Sequence, residues 1–68
     1  MKYILKQDKA NEIRQKLKNK YIADVSGLSI CYVSLIMTGK RQVSKRVAYP
    51  FTKAVNSEYE IEDLFERV

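Results

Sequence analysis

Gly27 and Gly39 are the only two glycines in the 68-residue chain, and each directly follows a short segment with helical apolar spacing. Glycine enters the left-handed region of backbone space without the cost a Cβ imposes, so after a helical segment it stops the helix and turns the chain. The stretch between the two is therefore expected to be a short helix with a sharp turn at each end. Ser29 opens it as the N-cap and Thr38 closes it. Before it, Asn19 is the expected cap of a helix running from Lys20 to Ser26, which Gly27 ends.

The same signals divide the rest of the chain. Met1–Gln7 sets Tyr3, Ile4 and Leu5 between lysines and reads as an ordered arm or extra turn packing on the core. Asp8 is the expected N-cap of a first helix of about ten residues, with Ala10, Ile13 and Leu17 as its apolar stripe. Lys9, Arg14, Gln15, Lys16 and Lys18 fill its other faces, and its lysines read as a solvated surface. After a polar loop, Lys40-Arg41-Gln42, Ser44 is the expected cap of a fourth helix whose inner face is Val47, Ala48, Phe51 and Val55. Pro50 should kink that helix or delay its start, and Asn56 is the expected left-handed terminator. A last helix is predicted over Ile61–Val68, with Ile61, Leu64, Phe65 and Val68 on one side. Phe65 and Val68 are open to two roles, core or the seam of a dimer. The sum is five short helices and no strand: a single all-α domain spanning 1–68.

Composition narrows the function. One cysteine and no histidine exclude an internal disulfide and a zinc site of the usual ligand set. No glycine-rich phosphate loop is present, and no serine, cysteine or lysine has an evident activating base beside it. The expectation is a non-enzyme with no cofactor and no metal. A lone thiol without a secretory leader fits a reducing cytoplasm, and no apolar run approaches the ~20 residues that span a bilayer. Charge is the positive clue. Residues 1–57 hold twelve basic against three acidic residues, +9, while 58–68 hold one basic and five acidic, −4, for the net +5. A basic body with a short acidic end suits a polyanion approached from one side.

Residues 19–38 also meet the demands of two helices joined by a tight turn, the second free to enter a DNA groove. Ala23 is the small residue at the crossing, Gly27 the turn and Leu28 the plug after it, while Ile22, Val33 and Ile36 provide inner contacts. The runs Ala23-Asp24-Val25-Ser26-Gly27-Leu28-Ser29, Tyr32-Val33-Ser34-Leu35-Ile36 and Gly39-Lys40-Arg41, with the tail Ile61-Glu62-Asp63-Leu64-Phe65, resemble the Cro/C1-type (XRE-like) helix-turn-helix regulators of phages and bacteria. The resemblance covers about residues 8–66. It implies a five-helix lambda-repressor-like domain in the cytoplasm of a bacterial host. It implies double-stranded DNA as partner, a homodimer on paired half-sites, and transcriptional regulation, chiefly repression.

The resemblance also assigns roles. Ile30, Cys31, Ser34 and Leu35 occupy the side of the third helix that faces base edges. Ser29, Tyr32, Thr38, Lys40, Arg41, Ser44, Lys45 and Arg46 stand where such proteins grip phosphates, the start of the fourth helix adding free N–H groups. Tyr32 has a second option, half-burial against Gly39 or the first helix. The base-facing set departs from the usual pattern. Readers of this class place Gln, Asn, Arg or Lys there, whereas this chain has two aliphatics, a thiol and a hydroxyl. Specificity then rests on thymine contacts and DNA shape, or else the face meets another regulator protein, since one scaffold serves several functions.

Overall fold

Both glycines adopt the left-handed conformation, Gly27 at φ +80° and Gly39 at +73°, and no other residue among those described has positive φ. The computed structural model describes residues 2–68. The elements in chain order are β1 (Tyr3–Leu5), α1 (Gln7–Lys16), α2 (Asn19–Ser26), α3 (Ile30–Met37), α4 (Lys45–Val55), α5 (Ile61–Leu64) and β2 (Phe65–Arg67). No single helix among them is long and apolar enough to cross a membrane.

The five expected helices are present, with several ends differing from expectation. Ser29 caps α3 as predicted, its side chain accepting from the Tyr32 N–H. Asp8 does not cap α1: Lys6 holds that position, and Asp8 lies inside the first turn, where its charge still favours the helix N-terminus. Asn19 is the first residue of α2 rather than its cap. Ser44 precedes α4 with extended dihedrals, yet its hydroxyl makes no capping bond; its carbonyl instead accepts from Val47 and Ala48. Pro50 does not delay α4, which starts at Lys45 and continues through it to Val55. Asn56 is extended, at φ −162°, rather than left-handed, and its side-chain oxygen accepts from the Glu58 N–H to turn the chain.

One apolar cluster draws on every element. Ala10 and Ile13 come from α1, Ile22 and Ala23 from α2, Val33, Ile36 and Met37 from α3, and Ala48, Phe51 and Ala54 from α4; Leu17, Leu28, Tyr32, Val47 and Val55 pack around it partly buried. Thr52, which was not expected inside, is fully buried, and its hydroxyl is satisfied by the Ala48 carbonyl at 2.8 Å.

The all-α expectation is corrected at the two ends of the chain. The arm is a strand, and the last helix stops at Leu64, after which Phe65–Arg67 pairs antiparallel with Tyr3–Leu5 (Leu5 opposite Phe65, Tyr3 opposite Arg67). The Lys6 N–H to Leu64 carbonyl bond and the Val68 N–H to Lys2 carbonyl bond, each 2.9 Å, extend the ladder. Met1, the first residue of the expected arm, lies outside the described residues. Alternation along the short strands turns Tyr3, Leu5 and Phe65 inward. Phe65 is 2% exposed and meets Phe51 edge-to-face, centroids 5.6 Å apart. It belongs to the core and is not available as a dimer seam. Val68, by contrast, is 62% exposed.

Candidate nucleic-acid interface

The axes of α2 and α3 turn through 116° across the Gly27 break, within the range at which a helix-turn-helix holds its second helix clear of its first. Ile22 and Ala23 on one helix and Val33, Ile36 and Met37 on the other are buried together, which fixes that crossing. With those residues inward, Ile30, Cys31, Ser34 and Leu35 are left exposed on α3. The four positions assigned to base edges therefore do share the accessible side of one helix.

Local hydrogen bonding explains why α3 ends where it does. The Gly39 N–H donates to the Ile36 carbonyl and the Lys40 N–H to the Leu35 carbonyl, each at 3.1 Å. This paired closure needs the left-handed residue that Gly39 supplies. The next residues are pinned at their far end, because Val43 and Tyr3 exchange both backbone bonds, at 2.7 and 2.8 Å. Lys40, Arg41 and Gln42 thus form a three-residue bridge between two fixed points, and all three side chains are exposed. A loop held in this way loses little entropy when it grips a ligand.

Positive charge gathers here without compensation. Lys40, Arg41, Lys45 and Arg46 are exposed, and among the described residues no carboxylate lies within ion-pair distance of any of them. The ion pairs Lys9–Glu12 and Lys16–Glu12 lie on α1. The Arg41 guanidinium rests over the Tyr32 ring, 5.4 Å from its centroid, an arrangement in which the ring face stabilises the cation. Tyr32 is partly buried against the core, so its ring acts as a shelf for Arg41. At the head of α4 no side chain caps the first-turn N–H groups, that of Val47 turns back to the Ser44 carbonyl at 3.0 Å, and Lys45 and Arg46 are exposed beside a half-buried Ser44.

Two of the hydroxyls assigned to phosphates are partly occupied. The Ser29 oxygen accepts from the Tyr32 N–H at 3.1 Å, which leaves its proton to donate. The Thr38 hydroxyl donates back to the carbonyls of Ser34 and Leu35 at 3.1 and 3.2 Å, and so faces the helix rather than a ligand. Val68 follows the terminal strand, its N–H bonded to the Lys2 carbonyl at 2.9 Å.

One support of the site had no counterpart in the sequence reading. Arg14, expected as surface charge, donates through Nη2 to the Met37 carbonyl at 3.0 Å, while Nη1 is held by the Asn11 side chain at 2.9 Å. The Gln7 amide approaches the same carbonyl at 3.4 Å. A cation on the last carbonyls of α3 matches the negative end of the helix dipole and ties α1 to the C-terminus of α3. The only local signal is the three-residue spacing of Asn11 and Arg14 on one helix face; the partner carbonyl is 23 residues further on.

No protein-family model matches the chain, and no curated protein or solved structure matches it at a significant level.

Proposed function

We propose that this chain is a sequence-specific, double-stranded-DNA-binding transcriptional regulator: a lambda-repressor-like domain acting as a Cro-type repressor in the cytoplasm of a phage- or prophage-bearing bacterium. The observation that carries this reading is the exposed side of α3 followed, just beyond its C-terminal end, by four exposed cations that have no carboxylate partner among the described residues. α3 enters the major groove and presents Ile30, Cys31, Ser34 and Leu35 to base edges. Lys40, Arg41, Lys45 and Arg46 meet phosphates beyond the C-terminal end of α3, Ser29 donates its free hydroxyl proton, and the N–H groups of Lys45 and Arg46 at the head of α4 receive one phosphate. Two copies occupy half-sites about one helical turn apart. Repression follows from occupancy, by blocking polymerase or a rival regulator.

A second reading is supported by one observation, the exposure of Ile30 and Leu35 at 50% and 41%. In it the same face binds another regulator protein, and the scaffold acts as a modulator. Salt separates the two. Neutralising several phosphates releases counterions, so the log of the affinity for duplex DNA falls steeply with the log of salt concentration. Apolar association with a protein barely responds. The experiment is titration of a random duplex library with the purified chain at two salt concentrations, followed by selection of the tightest binders. Steep salt loss with an enriched two-fold sequence supports the regulator; no binding even at low salt refutes it and favours the modulator.

A further inference from the structure

We infer that the exposed face of α3 reads thymine, through the C5-methyl groups that thymine alone among the four unmodified bases displays in the major groove; this inference rests on the DNA-binding reading above. Ile30–Met37 contains no Arg, Lys, Asn or Gln, so α3 lacks the side chains that form paired bonds to guanine or adenine. What it exposes is mostly hydrocarbon. Ile30 and Leu35 are about half exposed, and the free thiol of Cys31 is a small, soft neighbour beside them.

The polar atoms on this side reinforce the point. The Thr38 hydroxyl is spent on the carbonyls of Ser34 and Leu35. The Ser29 oxygen is engaged by the Tyr32 N–H. Among the described residues Ser34 alone brings an uncommitted hydroxyl to the middle of the face, and one hydroxyl bonds almost any base edge. Discrimination therefore falls to Ile30, Cys31 and Leu35, which gain by excluding water from a thymine methyl and find nothing equivalent on cytosine.

Charge decides the occupant. A partner offering only an apolar surface to Ile30 and Leu35 would leave Lys40, Arg41, Lys45 and Arg46 uncompensated, since among the described residues none of them has a carboxylate partner. Duplex DNA supplies both halves at once, phosphates for the cations and a methyl-bearing groove floor for α3.

The test uses the tightest duplexes recovered from a random library, resynthesised with deoxyuridine in place of thymidine, which removes the methyl and leaves base pairing intact. Each methyl lost from an apolar contact should weaken binding about fourfold, and two of them roughly fifteenfold. Ile30→Ala and Leu35→Ala alter exposed positions, and each should shrink the thymine-to-uracil ratio while leaving the salt slope unchanged. Equal affinity for the thymine and uracil duplexes, with steep salt dependence retained, would overturn methyl reading and leave the DNA-binding reading standing. A ratio that persists undiminished in both alanine variants would also overturn it, since the preference would then arise from DNA shape. Absence of duplex binding at low salt would overturn both readings and leave a protein as the occupant.

Discussion

Phe65→Ala tests the placement of the chain's last aromatic. The ring is 2% exposed and stands edge-on to Phe51 at 5.6 Å and 77°. Truncating a buried phenylalanine costs about 3–5 kcal/mol, part transfer free energy and part cavity. A domain of 68 residues, at about 0.05–0.15 kcal/mol per residue, holds only about 3–10 kcal/mol in total. The substitution should therefore remove between a third and all of the stability, lowering Tm by about 12–40 °C at 4–8 °C per kcal/mol. Phe65→Leu, which keeps most of the apolar volume, should cost roughly 1–2 kcal/mol. Val68→Ala, at an exposed terminal position, should stay within about 0.5 kcal/mol of the parent. The assay is thermal unfolding followed by far-UV circular dichroism, repeated across a wide range of protein concentration. A ring buried within one chain gives a loss independent of concentration, whereas a ring buried between copies makes the stability of the parent itself fall on dilution. A Phe65→Ala variant melting within about 5 °C of the parent, or a deficit that tracks concentration, would refute the core assignment.

Other consequences are simpler to measure. A Cβ at Gly27 would meet nothing within 4 Å, so the φ of +80° is the sole obstacle there. Urea unfolding should show Gly27→Asn losing under about 1 kcal/mol and Gly27→Val about 2 or more, and equal losses would remove backbone conformation as the cause. Arg14→Ala should lower stability by about 0.5–1 kcal/mol, a modest figure because Arg14 as a whole is solvent-exposed. Arg14→Lys should restore only part of it, since an ammonium cannot span Asn11 and Met37 as the fork does; an unchanged melting curve for Arg14→Ala would mean the clamp contributes nothing. Lys40→Ala and Arg41→Ala should each lower the salt slope of DNA binding by about one unit while weakening all sequences alike. A slope left at its parent value would take that residue off the list of phosphate contacts.

The parts legible in the sequence were those whose cause lies within a few residues. Gly27 and Gly39 were readable because positive φ is a property of the residue itself, and Ser29 because its cap bond reaches only to Tyr32. The buried stripes of Ala10 and Ile13, and of Val33 and Ile36, followed from helical periodicity. Exposure of Ile30, Cys31, Ser34 and Leu35 followed by elimination, since one side of a short helix leaves the other free. Local signals misled where they were weak or had competitors. Asn56 was read as a left-handed stop, but its side chain serves the Glu58 N–H from an extended backbone. Thr52 looked polar, yet its hydroxyl is satisfied by its own helix and could be buried.

Tertiary structure alone decided how the two ends of the chain behave. Phe65 and Val68 fit the apolar pattern of a helix begun at Ile61, and nothing nearby in sequence opposes its continuation. The strand wins because Tyr3–Leu5, some 60 residues away, offers a backbone ladder and a place for Phe65 against Phe51. A four-residue helix such as α5 has little cooperative stability of its own to set against that. The same reasoning covers Arg14 and Tyr3, whose partners Met37 and Val43 lie far along the chain and become neighbours only once the core has formed. Turns, caps and periodicity are settled by interactions among close neighbours, so the amino-acid sequence determines them directly. Strand pairing and the clamping of α3 depend on which distant segments the shared apolar core brings together.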